Sequence, residues 1–238
     1  MGQRGMRNGK RANEQMMNDK KQIAKNEFDF CIALLENEKR EKTMTEMIRA
    51  FIAIELDDAA RRAVADAQTQ LQRDRAAKCV RWVAPDNIHL TLKFLGDVAA
   101  NRINDLHNAL AGACAGIALF DLEIARAGAF PNTRRPNVIW IGLHGEIEIA
   151  ARLAQKIDDA CATLGFARED RAFAPHLTLG RVKRDASPSE RRLIGERIEN
   201  AQVSALGTLR VARVSVMKSV LAPGGSIYSR LGEIKLQS

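Results

Sequence analysis

Two of the chain's four histidines open the same four-residue word, His89-Leu-Thr-Leu92 and His176-Leu-Thr-Leu179. With eight threonines available, a Thr two places after two of four histidines arises by chance in roughly one chain in a hundred. Imidazole, with an ordinary pKa of about 6.5, lets one ring accept a proton while a second ring gives one at neutral pH. Opening a cyclic phosphate needs both acts. One ring takes the proton of an attacking water, and the other protonates the departing ribose oxygen from the opposite side of phosphorus. Side chains alternate along a strand, so His89 shares a face with Thr91, and His176 with Thr178. The hydroxyls can then donate to non-bridging oxygens, while Leu90, Leu92, Leu177 and Leu179 face a core.

Other residues are weaker candidates. Lys93 and Arg181 lie at the ends of the two motif strands, within reach of a phosphate or as solvated flanks; Arg181 is the one assigned to it. Arg134 and Arg135 lie in a loop where they can hold a polyanion backbone. Trp82, Phe130 and Trp140 can stack on a base, although aromatic residues in strands are more often core. His107, in a helical pattern, and His144, after a strand, read as ordinary surface or satisfied histidines. Two histidines with no third ligand nearby make a poor zinc set, and Arg181 can balance charge without a metal. Two buried histidines held by hydrogen bonds are the purely structural alternative.

The elements that position these residues form a repeat. Shifting Phe51–Leu56 by 87 places gives Val138–Leu143, and the same shift carries His89 onto His176 without a gap. Strand, helix and motif hairpin therefore occur twice, related by a pseudo-twofold axis, with the two tetrads facing one another across a central cleft. Each tetrad's leucines are expected beneath the helices of their own lobe. Helices are expected from Asp57 to about Lys78, Asn101 to Cys114, Glu146 to Leu164 and Ser187 to Asn200. Strands are expected from Val80 to Val83 and from Ala118 to Ile124. Two more, Val211–Leu221 and Ile227–Ile234, are joined at Pro223-Gly224-Gly225 as a hairpin. The fold class is α+β: bilobal and duplicated, with two largely antiparallel sheets and outer helices around the cleft. No glycine-rich phosphate loop is present, so ATP is not implied.

Composition bounds the rest. The 238 residues are 46% hydrophobic without a long apolar run, and the net charge of +8 favours a polyanionic partner such as nucleic acid. Cys31, Cys79, Cys114 and Cys161 lack the paired spacing of zinc or redox motifs and read as reduced thiols. Residues 1–46 are expected to be a disordered or mis-assigned N-terminal extension, with Met47 as an alternative start and 47–238 as the working domain. The apolar patch from Phe28 to Leu35 is interrupted by Asp29 and fails as a signal peptide. A cytoplasmic monomer without membrane attachment is expected.

At these residues the sequence resembles the two-histidine phosphoesterase superfamily and, within it, the bacterial RNA 2′,3′-cyclic phosphodiesterases, also known as 2′-5′ RNA ligases. The likeness runs from Met47 to near the C-terminus through Ile48–Leu56, Arg81-Trp82-Val83, His89–Gly96, the segment from Phe130-Pro131 to Trp140, and His176–Arg181. It implies hydrolysis of the 2′,3′-cyclic phosphate at an RNA terminus to a 2′-phosphate, without metal or nucleotide cofactor, with reversible 2′-5′ RNA ligation as a second activity. It also implies His89 as proton donor, His176 as proton acceptor, and Thr91, Thr178 and Arg181 as phosphate contacts. A binding module that holds RNA ends or small nucleotides without hydrolysis is the alternative.

Overall fold

The computed structural model describes residue 32 and residues 46–237 apart from 74, 202, 204, 205 and 224, so the expectations for the N-terminal extension lie outside the described residues. The first repeat supplies β1 (Met47–Glu55), α1 (Asp58–Gln72), β2 (Val80–Trp82) and β3 (His89–Ala99), followed by α2 (Ile103–Cys114) and β4 (Phe120–Phe130). The second supplies β5 (Val138–Gly145), α3 (Ile147–Thr163) and β6 (His176–Val182), followed by α4 (Pro188–Glu199), β7 (Gly207–Val211), β8 (Arg213–Ala222) and β9 (Gly225–Lys235). Asp57 caps α1 by accepting from the Ala60 N–H at 2.8 Å. Ser187 and Glu190 form a reciprocal capping box on α4, with Pro188 in its first turn. Helix α1 stops at Gln72, six residues short of the expected Lys78, and a 3-10 turn over Arg75–Cys79 replaces its last turns. The strand expected from Val211 to Leu221 is β8, which begins two residues later at Arg213, and the short β7 before it, on the far side of the sheet, was not expected.

The described strands form one nine-stranded sheet in the order β7-β4-β5-β6-β3-β1-β8-β9, with β2 also paired to β6. The pairings between these strands are antiparallel wherever their register is defined, and one isolated bridge outside them, Ala118 with Gln237, is parallel. The halves meet where β3 pairs with β6 through Leu90 and Leu177. Farther along β6, its edge is taken by β2, which pairs from Val182 to Gly180.

The repeats exchange parts across this seam. After β3 the chain passes through α2 and delivers β4 to the second half, beside β5. After β6 it passes through α4 and delivers β8 to the first half, beside β1. The helices cross as well. Gln68 of α1, 3% exposed, donates to the carbonyls of Leu179 in β6 at 2.9 Å and of Val83 at 2.8 Å. Asp158 of α3 accepts from Lys93 of β3 at 2.5 Å. The helix of each repeat thus lies over the histidine strand of the other, which corrects the expectation that each tetrad packs beneath its own helix. One apolar core joins both halves, including Leu90, Leu92, Leu177 and Leu179. Cys79, Cys114 and Cys161 are free and buried, and burial pushes the Cys114 and Cys161 thiols up to about 11. Among the described residues no helix is long and apolar enough to cross a membrane.

Candidate active site

The pairing of Leu90 with Leu177 fixes how the tetrads meet. In an antiparallel pair of that register, His89 lies opposite Thr178 and Thr91 opposite His176. The two histidines are then diagonal neighbours, roughly 7–8 Å apart between backbones. That separation leaves room for a phosphoryl group between the rings. The leucines are buried while both histidines and both threonines are only half-buried, as the alternation requires.

Each imidazole is fixed in the same way. His89 Nδ1 lies 2.8 Å from the Asn87 carbonyl, and His176 Nδ1 lies 2.7 Å from the Ala174 carbonyl. A carbonyl can only accept, so each Nδ1 carries the proton in these bonds and each Nε2 is left for proton exchange. Asn87 is itself anchored, since its side-chain amide donates to the Ser226 carbonyl at 2.8 Å. The rings have aromatic walls. Phe51 stacks on His89 at 4.7 Å, Tyr228 meets it edge-on at 5.2 Å, and Phe130 meets His176 edge-on at 4.9 Å. Among the described residues neither Thr91 nor Thr178 has a side-chain hydrogen-bond partner, so both hydroxyls are free to donate.

Electrostatics separates the two rings. Burial pushes the His89 imidazole below its ordinary pKa; its bond to the Asn87 carbonyl and the Glu55 carboxylate pull upward, and the charge of His176 adds to the lowering. Glu55 is an ionised acid: burial pushes it upward, but the Ser215 hydroxyl and Arg230 outweigh that and hold it low. Ser215 donates to Glu55 at 2.7 Å, and Arg230 Nε at 2.8 Å. This acid beside the His89 half was not singled out in the sequence, where Glu55 reads only as the polar end of an apolar strand.

A β-bulge places Arg181. Trp140 pairs with Thr178, but the next pair is Ile139 with Gly180, so Leu179 is an extra residue and the alternation slips by one. Arg181, exposed, thereby shares the face of His176 and Thr178; unbroken alternation would have turned it to the core. The burial pattern of β3 slips at the same place: Lys93 is buried and Phe94, 66% exposed, takes the position matching Arg181. Phe94 lies 6.3 Å from Phe51. Lys93 does not reach the phosphate position, because its ammonium is bound to Asp158 and to the Ala167 carbonyl at 2.7 Å.

Arg81, given no site role in the sequence analysis, pairs directly with Arg181 across β2 and β6, and both are exposed. Like charges directly opposite destabilise a sheet, and an anion between them removes that cost. Gly180 permits the pairing, since a Cβ there would lie 2.7 Å from Val80 and 3.1 Å from Trp82. Trp82 is structural: its indole donates to the Ala77 carbonyl at 3.2 Å. Phe130 is 36% exposed beside His176, and Trp140 lies behind it at 5.2 Å. Arg134 and Arg135 are exposed in the loop after β4. His107 is a satisfied histidine, its Nε2 lying 3.2 Å from the Glu233 carbonyl, whereas His144 Nε2 is buried and has no partner among the described residues. No three metal-ligating side chains converge among the described residues.

Comparison with known proteins gives a concordant result. The family model of LigT-like phosphoesterases matches twice, over residues 54–140 and 141–228. The two matches begin 87 residues apart, the spacing of the internal repeat. The RNA 2′,3′-cyclic phosphodiesterase of Methanothermobacter thermautotrophicus is 36% identical over 189 residues, covering 79% of this chain and 99% of that one. A crystal structure of a Thermus thermophilus protein superposes with a TM-score of 0.65 at 26% identity, covering 79% of this chain and 98% of that one. Escherichia coli LigT complexed with 3′-AMP superposes with a TM-score of 0.61 at 26% identity, covering 81% of this chain and 100% of that one.

Proposed function

Because the chain belongs to the LigT-like phosphoesterase family, we propose that it hydrolyses the 2′,3′-cyclic phosphate at RNA 3′ ends, using His89 as acid and His176 as base. The observation that carries this reading is the matched pair of imidazoles, each fixed through Nδ1 by the carbonyl two residues earlier, with Nε2 free and a threonine on the same face. In the proposed reaction His176 Nε2 takes a proton from water as its oxygen bonds to phosphorus. The bond from phosphorus to the 3′ oxygen breaks, and His89 Nε2 delivers the proton to that oxygen, leaving a 2′-phosphomonoester. Thr91, Thr178 and Arg181 donate to the non-bridging oxygens, where negative charge persists through the transition state. Each histidine ends in the protonation state in which the other began, so one returned proton resets the site. With the 5′ hydroxyl of a second RNA attacking in place of water, the same groups acting in the same direction join the two ends through a 2′-5′ linkage, and the 3′ oxygen again leaves with the proton from His89. The molecule is expected to work as a cytoplasmic monomer, with the domain at 47–238.

The test is incubation of an oligoribonucleotide ending in a 2′,3′-cyclic phosphate with purified protein, chelator and no ATP. Gain of one water with the phosphate on the 2′ oxygen is the expected product, and His89→Ala or His176→Ala should each lower kcat by about a hundredfold or more. Full activity in either variant, or a phosphate left on the 3′ oxygen, refutes the assignment.

A further inference from the structure

Beside the His176 row, strand β4 carries a strained residue. Arg126 has φ of 65°, and it is the extra residue of a β-bulge, since Ala125 pairs with Gly142 while Ala127 pairs with Ile141. Glycine is the residue that relaxes such a position, so an arginine there asks for a use of its side chain. Arg126, Ala125, His144 and Val203 line a hollow of about 390 Å³. The Arg126 backbone N–H is tied to the Val203 carbonyl at 2.9 Å, which holds the bulge in place.

One polar group of this lining is left without a protein partner. His144 Nε2 is buried and unpaired among the described residues, as is Trp140 Nε1 farther along β5. Such groups carry a desolvation cost that a ligand can remove. The Trp140 ring covers Gly128, and between Trp140 and His144 on their face the strand carries only Gly142, where a Cβ would lie 3.2 Å from the Ala125 carbonyl, 3.4 Å from Trp140 and 3.6 Å from His144 Nε2. Glu123 pairs with His144 across the strands and offers an acceptor on the same face.

Register sets the distance to the reaction centre. Gly142 pairs with His176, and His144 is two residues farther along β5, about 7 Å along the strand. That is about one nucleotide step along an extended RNA. The geometry points to a second subsite, in which Arg126 and His144 hold the phosphodiester on the 5′ side of the terminal nucleotide. Glu123 there accepts from the adjoining ribose 2′-hydroxyl, a group that DNA lacks. This inference rests on the proposed reading of the His89 and His176 site as the place of the terminal phosphate, and makes the enzyme selective for RNA ends over cyclic mononucleotides.

Binding tests it without turnover. Titration calorimetry with adenosine 2′-phosphate and with the adenylyl dinucleotide carrying a terminal 2′-phosphate gives the ratio of the two affinities. In the intact chain the dinucleotide should bind about tenfold or more tightly, and Arg126→Gly should reduce that ratio about tenfold. Because glycine relaxes the bulge, the melting temperature of Arg126→Gly should stay the same or rise, which separates the loss from misfolding. His144→Leu should reduce the ratio in the same direction. A ratio near one in the intact chain, or one unmoved by both substitutions, overturns the subsite. Turnover of a cyclic-phosphate dinucleotide, measured in parallel, separates the two readings: binding as expected without hydrolysis would reject the proposed reaction and leave the subsite standing.

Discussion

His89 carries a conflict that the chemistry must resolve. In the proposed role of proton donor it must be charged, yet burial against Phe51 and Tyr228 pushes its imidazole below the ordinary range. The Glu55 carboxylate offsets part of this, since it favours the protonated ring, and Ser215 and Arg230 keep that carboxylate ionised. The sign is then fixed. Replacing Glu55 by Gln removes a negative charge, lowers the His89 pKa further and reduces the protonated fraction at neutral pH. In Glu55→Gln the His89-dependent limb of the kcat/KM profile should move to lower pH, and kcat/KM at neutral pH should fall. A profile superimposable on that of the intact enzyme would remove Glu55 from the mechanism. The two histidines and threonines were legible as residues because type and spacing alone mark them. Glu55 was not, because its effect depends on a ring and a guanidinium from β3 and β9 that no local spacing reveals.

At the scale of the element, a one-residue slip in each histidine strand decides which side chains reach the site. Strict alternation puts Lys93 on the His89 face and Arg181 on the leucine face; the slip after Leu92 and the bulge at Leu179 invert both. A bulge leaves little trace in a period-2 pattern, and the one available clue was the 87-residue shift, which sets Phe94 against Arg181 and Lys93 against Gly180. Lys93 consequently serves the fold. Burial raises the Asp158 carboxyl, but the Lys93 bond, the Glu169 N–H and the charges of Lys93 and Arg168 hold it below its ordinary value. The stabilisation from this lowered carboxyl is present above its unfolded pKa of about 4 and is lost as pH falls through the folded value. Lys93→Met leaves a largely buried carboxylate without its ammonium and should cost about 3 kcal/mol in urea unfolding at pH 7. Adding Asp158→Leu should recover most of that loss, because the lone buried charge goes with it. A cost below about 0.5 kcal/mol, the usual bound for an uninvolved surface site, would mean that the pair does not hold α3 on β3.

For the whole molecule, the exchange of strands between repeats matters more than the duplication. The repeat unit was readable because strand, helix and motif all match at one shift, and the family matches fall at the same spacing. The crossing was not readable, since β4 and β8 lie outside the matched unit and nothing local says which half each will join. Yet the crossing governs stability. With β4 from the first repeat paired to β5, β8 from the second paired to β1, and each helix lying over the other repeat's histidine strand, neither half can form its sheet from its own segment. The histidines are therefore held at their separation by the same contacts that make the fold one cooperative unit. The two tryptophans give a way to check this. Trp82 and Trp140 both pair with β6, so their fluorescence reports the surroundings of that one strand, whereas far-ultraviolet circular dichroism reports both halves. In urea the two signals should share one midpoint and one slope, and Leu90→Ala, at the seam and 1% exposed, should shift both together by about 3 kcal/mol. Separate midpoints, with the fluorescence transition unmoved by Leu90→Ala, would show that the halves fold independently and that the seam does not set the spacing of the two histidines.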